Sequence, residues 1–270
     1  MERPGWAPIE VDIDRPAASR IYDFFLGGAH NFAVDREVAD RAVAHMPELP
    51  MVLRAGRSLL RRMVCFLAAE AGIRQFLDLG SGIPTVGNVH EIAQAVDPTC
   101  RVVYVDIDPV AVAHSQAILA GNRYATAVRA DVRHPLCILA QPEVRALLDL
   151  DQPVAVLLIA VLHFLPDADD PAGVVDQLRR AVAPGSYVAI AHSSDEGTPP
   201  RGMDAARQVY ARADNEVIAR SKAQIEALFT GWELVPPGVQ RAPLWRPDPG
   251  EPPPPGAAQF PGFAGVARKS

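Results

Sequence analysis

"FLDLGSGIPT", residues 76–85, is an apolar run that ends on an acid and then on two closely spaced glycines. Such a run, bounded by Gly and Pro, reads as a buried strand and not as part of a helix. In an open parallel sheet, ligands bind beyond the carboxyl ends of the strands. A tight turn alone explains one glycine. Two of them, Gly80 and Gly82, also let a large ligand approach the backbone where side chains are missing, with Asp78 facing it. The dinucleotide fingerprint G-x-G-x-x-G requires a third glycine at position 85, but Thr85 stands there and Gly87 comes too late. A nicotinamide-dependent oxidoreductase is therefore disfavoured.

Outward from this turn, strand-like and helix-like segments alternate. Gln75–Leu79 reads as the first strand, residues 101–105 ("RVVYV") as the second and Ala125–Arg129 as the third. Residues 154–160 and 187–191 read as the fourth and fifth. Residues 109–120 form a helical candidate with Asp108 as N-cap and Pro109 at the first helical position. A second candidate, residues 171–182, follows the acidic turn "DADD". Ahead of the sheet, Leu59, Leu60, Met63, Val64 and Leu67 recur at helical spacing until Gly72. Behind it, residues 201–219 read as helix, and Ser221 with Gln224 forms a capping box for another that runs to about residue 229. "WELVPPGV" and "GFAGVARKS" read as two closing antiparallel strands, separated by a proline-rich surface loop. The pattern predicts an α/β fold: a Rossmann-like, mostly parallel seven-stranded sheet with helices on both faces and an antiparallel closing pair. Residues 57–270 form the main domain, and residues 1–56 a helical N-terminal extension.

Composition narrows the function. The chain has 270 residues, 49% of them hydrophobic, enough for one sizeable core with additions. A net charge of −6 with no Lys/Arg run leaves no electrostatic footprint for nucleic acid. Cys65, Cys100 and Cys137 lie far apart and form no C-x-x-C pair, which argues for a reducing cytoplasm and against a disulfide framework or zinc site. The N-terminus carries no apolar signal-peptide core, and the longest apolar run, "VAVLLIAVLHFL", is too short to span a bilayer. A soluble, cytoplasmic protein with no membrane partner is expected.

Acids recur at the strand ends. Asp106, in "VDIDP", offers two oxygens to the two hydroxyls of a ribose, and Asp108 beside it is read as the helix cap. Asp131, in "RADVRHP", is either a turn residue or an acceptor for an exocyclic amine such as that of adenine. Together "DLGSG", "VDIDP" and "ADV" make the chain resemble the class I S-adenosylmethionine-dependent methyltransferases over roughly residues 57–270. With "SRIYDFFLGGAHNFAVDRE", "AVLHFLPD" and "ELVPPGVQRAPLWRPD" the resemblance narrows to an actinobacterial methyltransferase family of unassigned substrate, over almost the whole chain. The resemblance implies S-adenosylmethionine as cofactor. Gly80 and Gly82 would admit its methionine part, Asp78 would meet the ammonium group, and Asp106 would hold the ribose. Asp131 and Val132 would flank the adenine, and Ile107 and Ala160, both at strand ends, join the same cofactor set.

The segment "SRIYDFFLGGAHNF" has an apolar face of Ile21, Phe24 and Phe25, ended by Gly27 and Gly28. Packing and capping account less well for Tyr22 and Asn31. The N-terminal segment is expected to fold over the cofactor as a lid, with Tyr22, Gly28 and Asn31 touching ligand or substrate. His163, just beyond the fourth strand, is the candidate general base, against the alternative of a histidine bonded to backbone. His192 ranks behind it, and the remaining histidines show no metal-ligand spacing, so no metal is expected. The Asn-Pro-Pro-aromatic motif of amino-directed nucleic-acid methyltransferases is absent, as is a Pro-Cys nucleophile. The reading is methyl transfer to oxygen or nitrogen of a small molecule. Its alternative is a non-catalytic protein that binds S-adenosylmethionine or S-adenosylhomocysteine on the same fold.

Overall fold

Strand β1 (Gln75–Leu79) is buried along its whole length, because strands pack on both of its edges and helices on both of its faces. In the computed structural model, which describes residues 11–83, 87–197, 217–250 and 252–270, it lies between β2 (Arg101–Asp106) and β4 (Ala155–Ile159). Beyond β2 lies β3 (Ala125–Arg129), and beyond β4 lies β5 (Tyr187–Ser193), all parallel. The main path continues antiparallel through β8 (Gly262–Arg268) to β6 (Glu233–Leu234), in the order β3-β2-β1-β4-β5-β8-β6. An eighth strand, β7 (Gln240–Arg241), pairs with β8 off this path. The strand order reverses between β1 and β4, so the ligand crevice of such a sheet falls at their carboxyl ends.

Side-chain alternation assigns the two faces. Leu77, Leu79, Val103 and Val105 pack in one core layer with Val174 and Leu178 of α8 (Pro171–Ala181). Phe76, Val102 and Tyr104 pack in the other with Leu59, Leu60 and Met63 of α3 (Leu49–Cys65) and Val89 and Ala93 of α4 (Val89–Val96). Asp78 and Asp106 stand in phase with Tyr104 and so belong to the α3 face. Helix α5 (Pro109–Ile118) starts as the sequence predicts, with Asp108 Oδ1 accepting from the N–H of Val110 at 2.9 Å. Two short helices, α6 (Pro135–Leu139) and α7 (Pro142–Leu147), follow β3. The last helix, α9 (Lys222–Ala227), has the expected Ser221–Gln224 capping box.

Several boundaries differ from the sequence reading. α3 continues through a π turn, Phe66–Glu70, before Gly72 turns the chain at φ +71°. β5 runs two residues further than expected, held by β8 along its entire length. "WELVPPGV" contributes only the two residues of β6, because its proline pair lacks the N–H groups a ladder needs. The helix expected over residues 201–219 lies mostly outside the described residues, and residues 217–219 are not helical. Thr85 also lies outside them.

The N-terminal helices α1 (Ala18–Phe25) and α2 (Ala33–His45) share a small core with the start of α3, built on Ile21, Val38, Ala42 and Leu49. Phe164, from the turn after β4, packs against it. A second cluster joins Val11 and Phe32 to Ile83 of the glycine turn and to Val110 of α5. The N-terminal helices therefore contact the carboxyl edge of the sheet on both sides of the β1/β4 crevice. The expected boundary at residue 56 falls within the continuous helix α3.

Candidate functional site

The glycine turn after β1 is tied to β2, with Gly80 and Ser81 donating to Val105 O at 2.8 and 3.1 Å. Both glycines have positive φ, +70° at Gly80 and +66° at Gly82. Their surroundings differ. A Cβ on Gly80 would lie 2.3 Å from Val161 Cγ2, so the space is already taken by the turn after β4. A Cβ on Gly82 or on Gly87 (φ +75°) would meet no described residue within 4 Å. Of the two glycines that the sequence points to, Gly82 is the one with room beside it.

Asp78, buried at the edge of this space, accepts no hydrogen bond from any described residue. Burial pushes its pKa up to about 7; Arg57 opposes that shift and Asp106 adds to it. Asp106 is also buried, but its oxygens have partners. Oδ2 accepts from the N–H of Gly82 at 2.7 Å and Oδ1 from that of Asp108 at 2.8 Å. Burial raises its pKa to about 6 against the pull of these donors. Asp78, Gly82 and Asp106 thus converge at one point, with Ile107 beside them as an exposed apolar side chain, 56% accessible. Asp131 lies one strand further out and is engaged by Arg133, whose guanidinium reaches Oδ2 at 2.5 and 2.9 Å. Burial raises the Asp131 pKa, but the Arg133 hydrogen bonds outweigh it and hold the acid below its ordinary value. Val132 is half-buried against the core. Ala160 stands across the switch point, exposed and at φ +60°, a conformation that costs a non-glycine residue free energy. A groove of about 560 Å³ lies at the opposite edge of the sheet, around Arg74, Arg101 and Pro153, remote from all these groups.

The N-terminal segment meets the site through buried charges. Arg20 Nε donates to Asp35 Oδ2 at 3.0 Å, and Arg20 NH1 to Asp108 Oδ2 at 3.4 Å, where Ser19 Oγ also donates. Asp108 therefore caps α5, donates its N–H to Asp106 and anchors α1. Gly28 and Asn31 serve a local fold: Asn31 Nδ2 donates to Asp23 Oδ2 at 2.9 Å and to Gly28 O at 3.0 Å. A Cβ on Gly28 would collide with the Asp23 carboxylate. Tyr22 is half-buried against α3, with its hydroxyl 3.4 Å from Leu53 O. Burial raises its pKa, and the charge of Arg57 opposes the rise.

His163 and His192 lie beyond β4 and β5 with ring centroids 5.8 Å apart. Arg220, itself buried, donates to His192 Nε2 at 2.9 Å, to Leu162 O at 3.1 Å and to Leu165 O at 2.9 Å. A guanidinium only donates, so His192 Nε2 carries no proton and Nδ1 donates to Ser193 O at 2.8 Å. His163 Nδ1 lies 3.3 Å from Ser193 Oγ. Burial, with His192 and Arg220 adding to it, lowers the His163 pKa to about 3. A general base works best with a pKa near the operating pH, and this imidazole is far below it. Among the described residues no group of His, Cys, Asp and Glu has the arrangement of a metal site.

Two arginines escaped the sequence reading. Arg57, in the middle of α3, and Arg220, ahead of α9, carry no local motif. Only the tertiary fold brings them to the strand ends.

The sequence model described as "S-adenosyl methyltransferase" matches residues 4–270. Among solved structures, a "putative methyltransferase" of Thermobifida fusca YX shares 43% identity, covering 99% of this chain and 100% of that one, with a TM-score of 0.92. A DUF574 family protein of Streptomyces avermitilis MA-4680 shares 40% identity over 96% of this chain and 100% of that one, with a TM-score of 0.89. Human N-acetylserotonin methyltransferase, solved in complex with SAM, shares the fold at 17% identity and a TM-score of 0.50, covering 92% of this chain and 62% of that one. No curated protein matches the chain. The chain belongs to the S-adenosyl methyltransferase family, and S-adenosylmethionine is its cofactor.

Proposed function

We propose that this member of the S-adenosyl methyltransferase family transfers the methyl group to an oxygen or nitrogen of a small molecule held between the ends of β4 and β5 and the N-terminal helices. The observation that carries the reading is Asp78, a buried carboxylate without a hydrogen-bond donor beside a turn with room at Gly82. An ammonium group supplies the missing donor and adds its charge to that of Arg57. S-adenosylmethionine brings a methyl group on a positively charged sulfur, so catalysis requires chiefly that the acceptor be held in line with it.

Each residue then has a role. Asp106 retains lone pairs for the ribose hydroxyls while its backbone donors fix its orientation. Ile107 and Val132 offer apolar surface to the adenine, and Asp131 accepts from its amine while keeping Arg133. Gly80 keeps the turn in place against Val161, and Ala160 bounds the crevice across the switch point. Residues 1–56 act as the lid: Tyr22 lines its inner side, and Gly28 and Asn31 shape the loop that carries it. His163, neutral and tied toward Ser193, orients the acceptor and does not take its proton. The acceptor therefore enters with its lone pair already free, as an unprotonated amine or an ionised acidic hydroxyl, and an amine product sheds its proton to solvent. The net charge of −6 weighs against nucleic acid as acceptor, and the free cysteines fit a reducing cytoplasm. Among the described residues no helix is long and apolar enough to cross a membrane.

The test uses S-adenosylmethionine with a deuterated methyl group, incubated with the enzyme and with separate small-molecule, protein and RNA fractions of a cell extract. Label in the small-molecule fraction, absent with Asp106→Ala, is expected. Label in protein or RNA, or transfer to no fraction, would overturn the proposal.

A further inference from the structure

We infer that Arg57 binds the α-carboxylate of the cofactor, so that Arg57 and Asp78 together read the amino-acid end of the ligand and reject adenosine thioethers that lack it. The inference rests on the reading that the turn beside Asp78 holds the cofactor. Its grounds are geometric. Arg57 belongs to α3, the helix packed on the sheet face to which Asp78, Tyr104 and Asp106 are directed. Its NH2 donates to Gly87 O at 3.1 Å, so the guanidinium extends from α3 to the far end of the glycine turn. At both Gly82 and Gly87 an added Cβ would meet no described residue within 4 Å. Tyr22 lies over the same helix, its hydroxyl 3.9 Å from where a Cβ on Gly56 would stand. The space beside the turn is thus bordered by one acid that accepts no hydrogen bond from any described residue and by one cation.

A ligand end with one ammonium and one carboxylate matches this pair. The ammonium supplies donors to Asp78. The carboxylate receives the planar fork of Arg57, whose Nε is buried and makes no hydrogen bond to any described residue. A neutral thioether such as 5′-methylthioadenosine has neither charge and would leave Asp78 without an ammonium donor. Decarboxylated S-adenosylmethionine keeps the ammonium and loses only the partner of Arg57. The two ligands therefore separate the two roles.

The experiment is calorimetric titration of wild type, Arg57→Gln and Arg57→Lys with S-adenosylhomocysteine, S-adenosylmethionine, its decarboxylated form and 5′-methylthioadenosine. Loss of a charged hydrogen bond predicts roughly 10- to 100-fold weaker binding of the two carboxylated ligands to Arg57→Gln. Binding of the decarboxylated and thioether ligands should stay within about twofold, and Arg57→Lys should recover part of the loss. Equal loss for all four ligands would make Arg57 a structural staple between α3 and Gly87, and no loss for S-adenosylhomocysteine would remove it from the site. Should the variants fail to fold, wild type alone decides: it must prefer S-adenosylmethionine over the decarboxylated form by roughly tenfold or more, and parity overturns the inference. Wild type that binds none of the four would refute the cofactor reading itself, a different failure.

Discussion

Asp78 costs the ligand-free enzyme stability. Its carboxyl titrates at about 7 in the fold against 3.8 when unfolded. The folded form thus holds a proton that the unfolded form has released, and stability falls as pH rises through this interval. At about 1.4 kcal/mol per pKa unit, the loss above pH 7 is on the order of 4 kcal/mol. Asp78→Asn escapes it. The variant should melt higher than wild type at pH 8, with the gap closing toward pH 4, yet gain little from S-adenosylhomocysteine. Scanning calorimetry across pH checks this; a variant less stable than wild type at pH 8 would contradict it. The glycines separate in the same way. Gly82→Ala meets only the strain of a positive φ, about 1 kcal/mol, and should fold well while binding cofactor poorly. Gly80→Ala collides with Val161, whose Cγ2 and Cβ would lie 2.3 and 2.6 Å from the added Cβ, so it should melt lower than Gly82→Ala.

Between elements, Arg20 links α1 to Asp35 of α2 and to Asp108 at the start of α5. All three side chains are buried, at 5%, 0% and 8% exposure. Removing the cation from such a group leaves two acids without compensation, a loss of about 3–5 kcal/mol. Arg20→Gln should therefore loosen α1 and α2 more than the sheet. Hydrogen exchange should rise in residues 18–45 with little change in β1, β2 and β4, and S-adenosylhomocysteine should dissociate faster. Exchange that rises equally throughout would show that these helices do not open as a lid. At the other side of the crevice, Arg220 ties the turn after β4 to His192 at the end of β5. Burial, with the charge of Arg220 adding to it, keeps both histidines neutral although they lie close together.

At the scale of the whole molecule, the sheet was legible because each parallel strand is buried on both faces and reads as a short apolar run between turns. β1 and β3 appear at the expected residues and β2 one residue longer. The Asp108 and Ser221 caps were legible for the same reason: the partners of a cap lie within a few residues. What escaped depends on distant partners. "WELVPPGV" looks like a full strand until its prolines are set against β8. Asn31 looks superfluous until Asp23 and Gly28 fold back on it, and Arg57 is one helical arginine among several. The strand-end acids were visible as a set, but which of them lacks a partner was visible only in three dimensions. The proposed cofactor site is the convergence of Asp78, Gly82 and Asp106 at the β1/β4 crevice. Its most direct test is calorimetric titration of S-adenosylhomocysteine into wild type and Asp106→Ala, each shown to be folded. Saturable one-to-one binding by wild type, weakened at least about tenfold in the variant, is the predicted result. Undiminished binding by Asp106→Ala, or no binding by folded wild type, would contradict it.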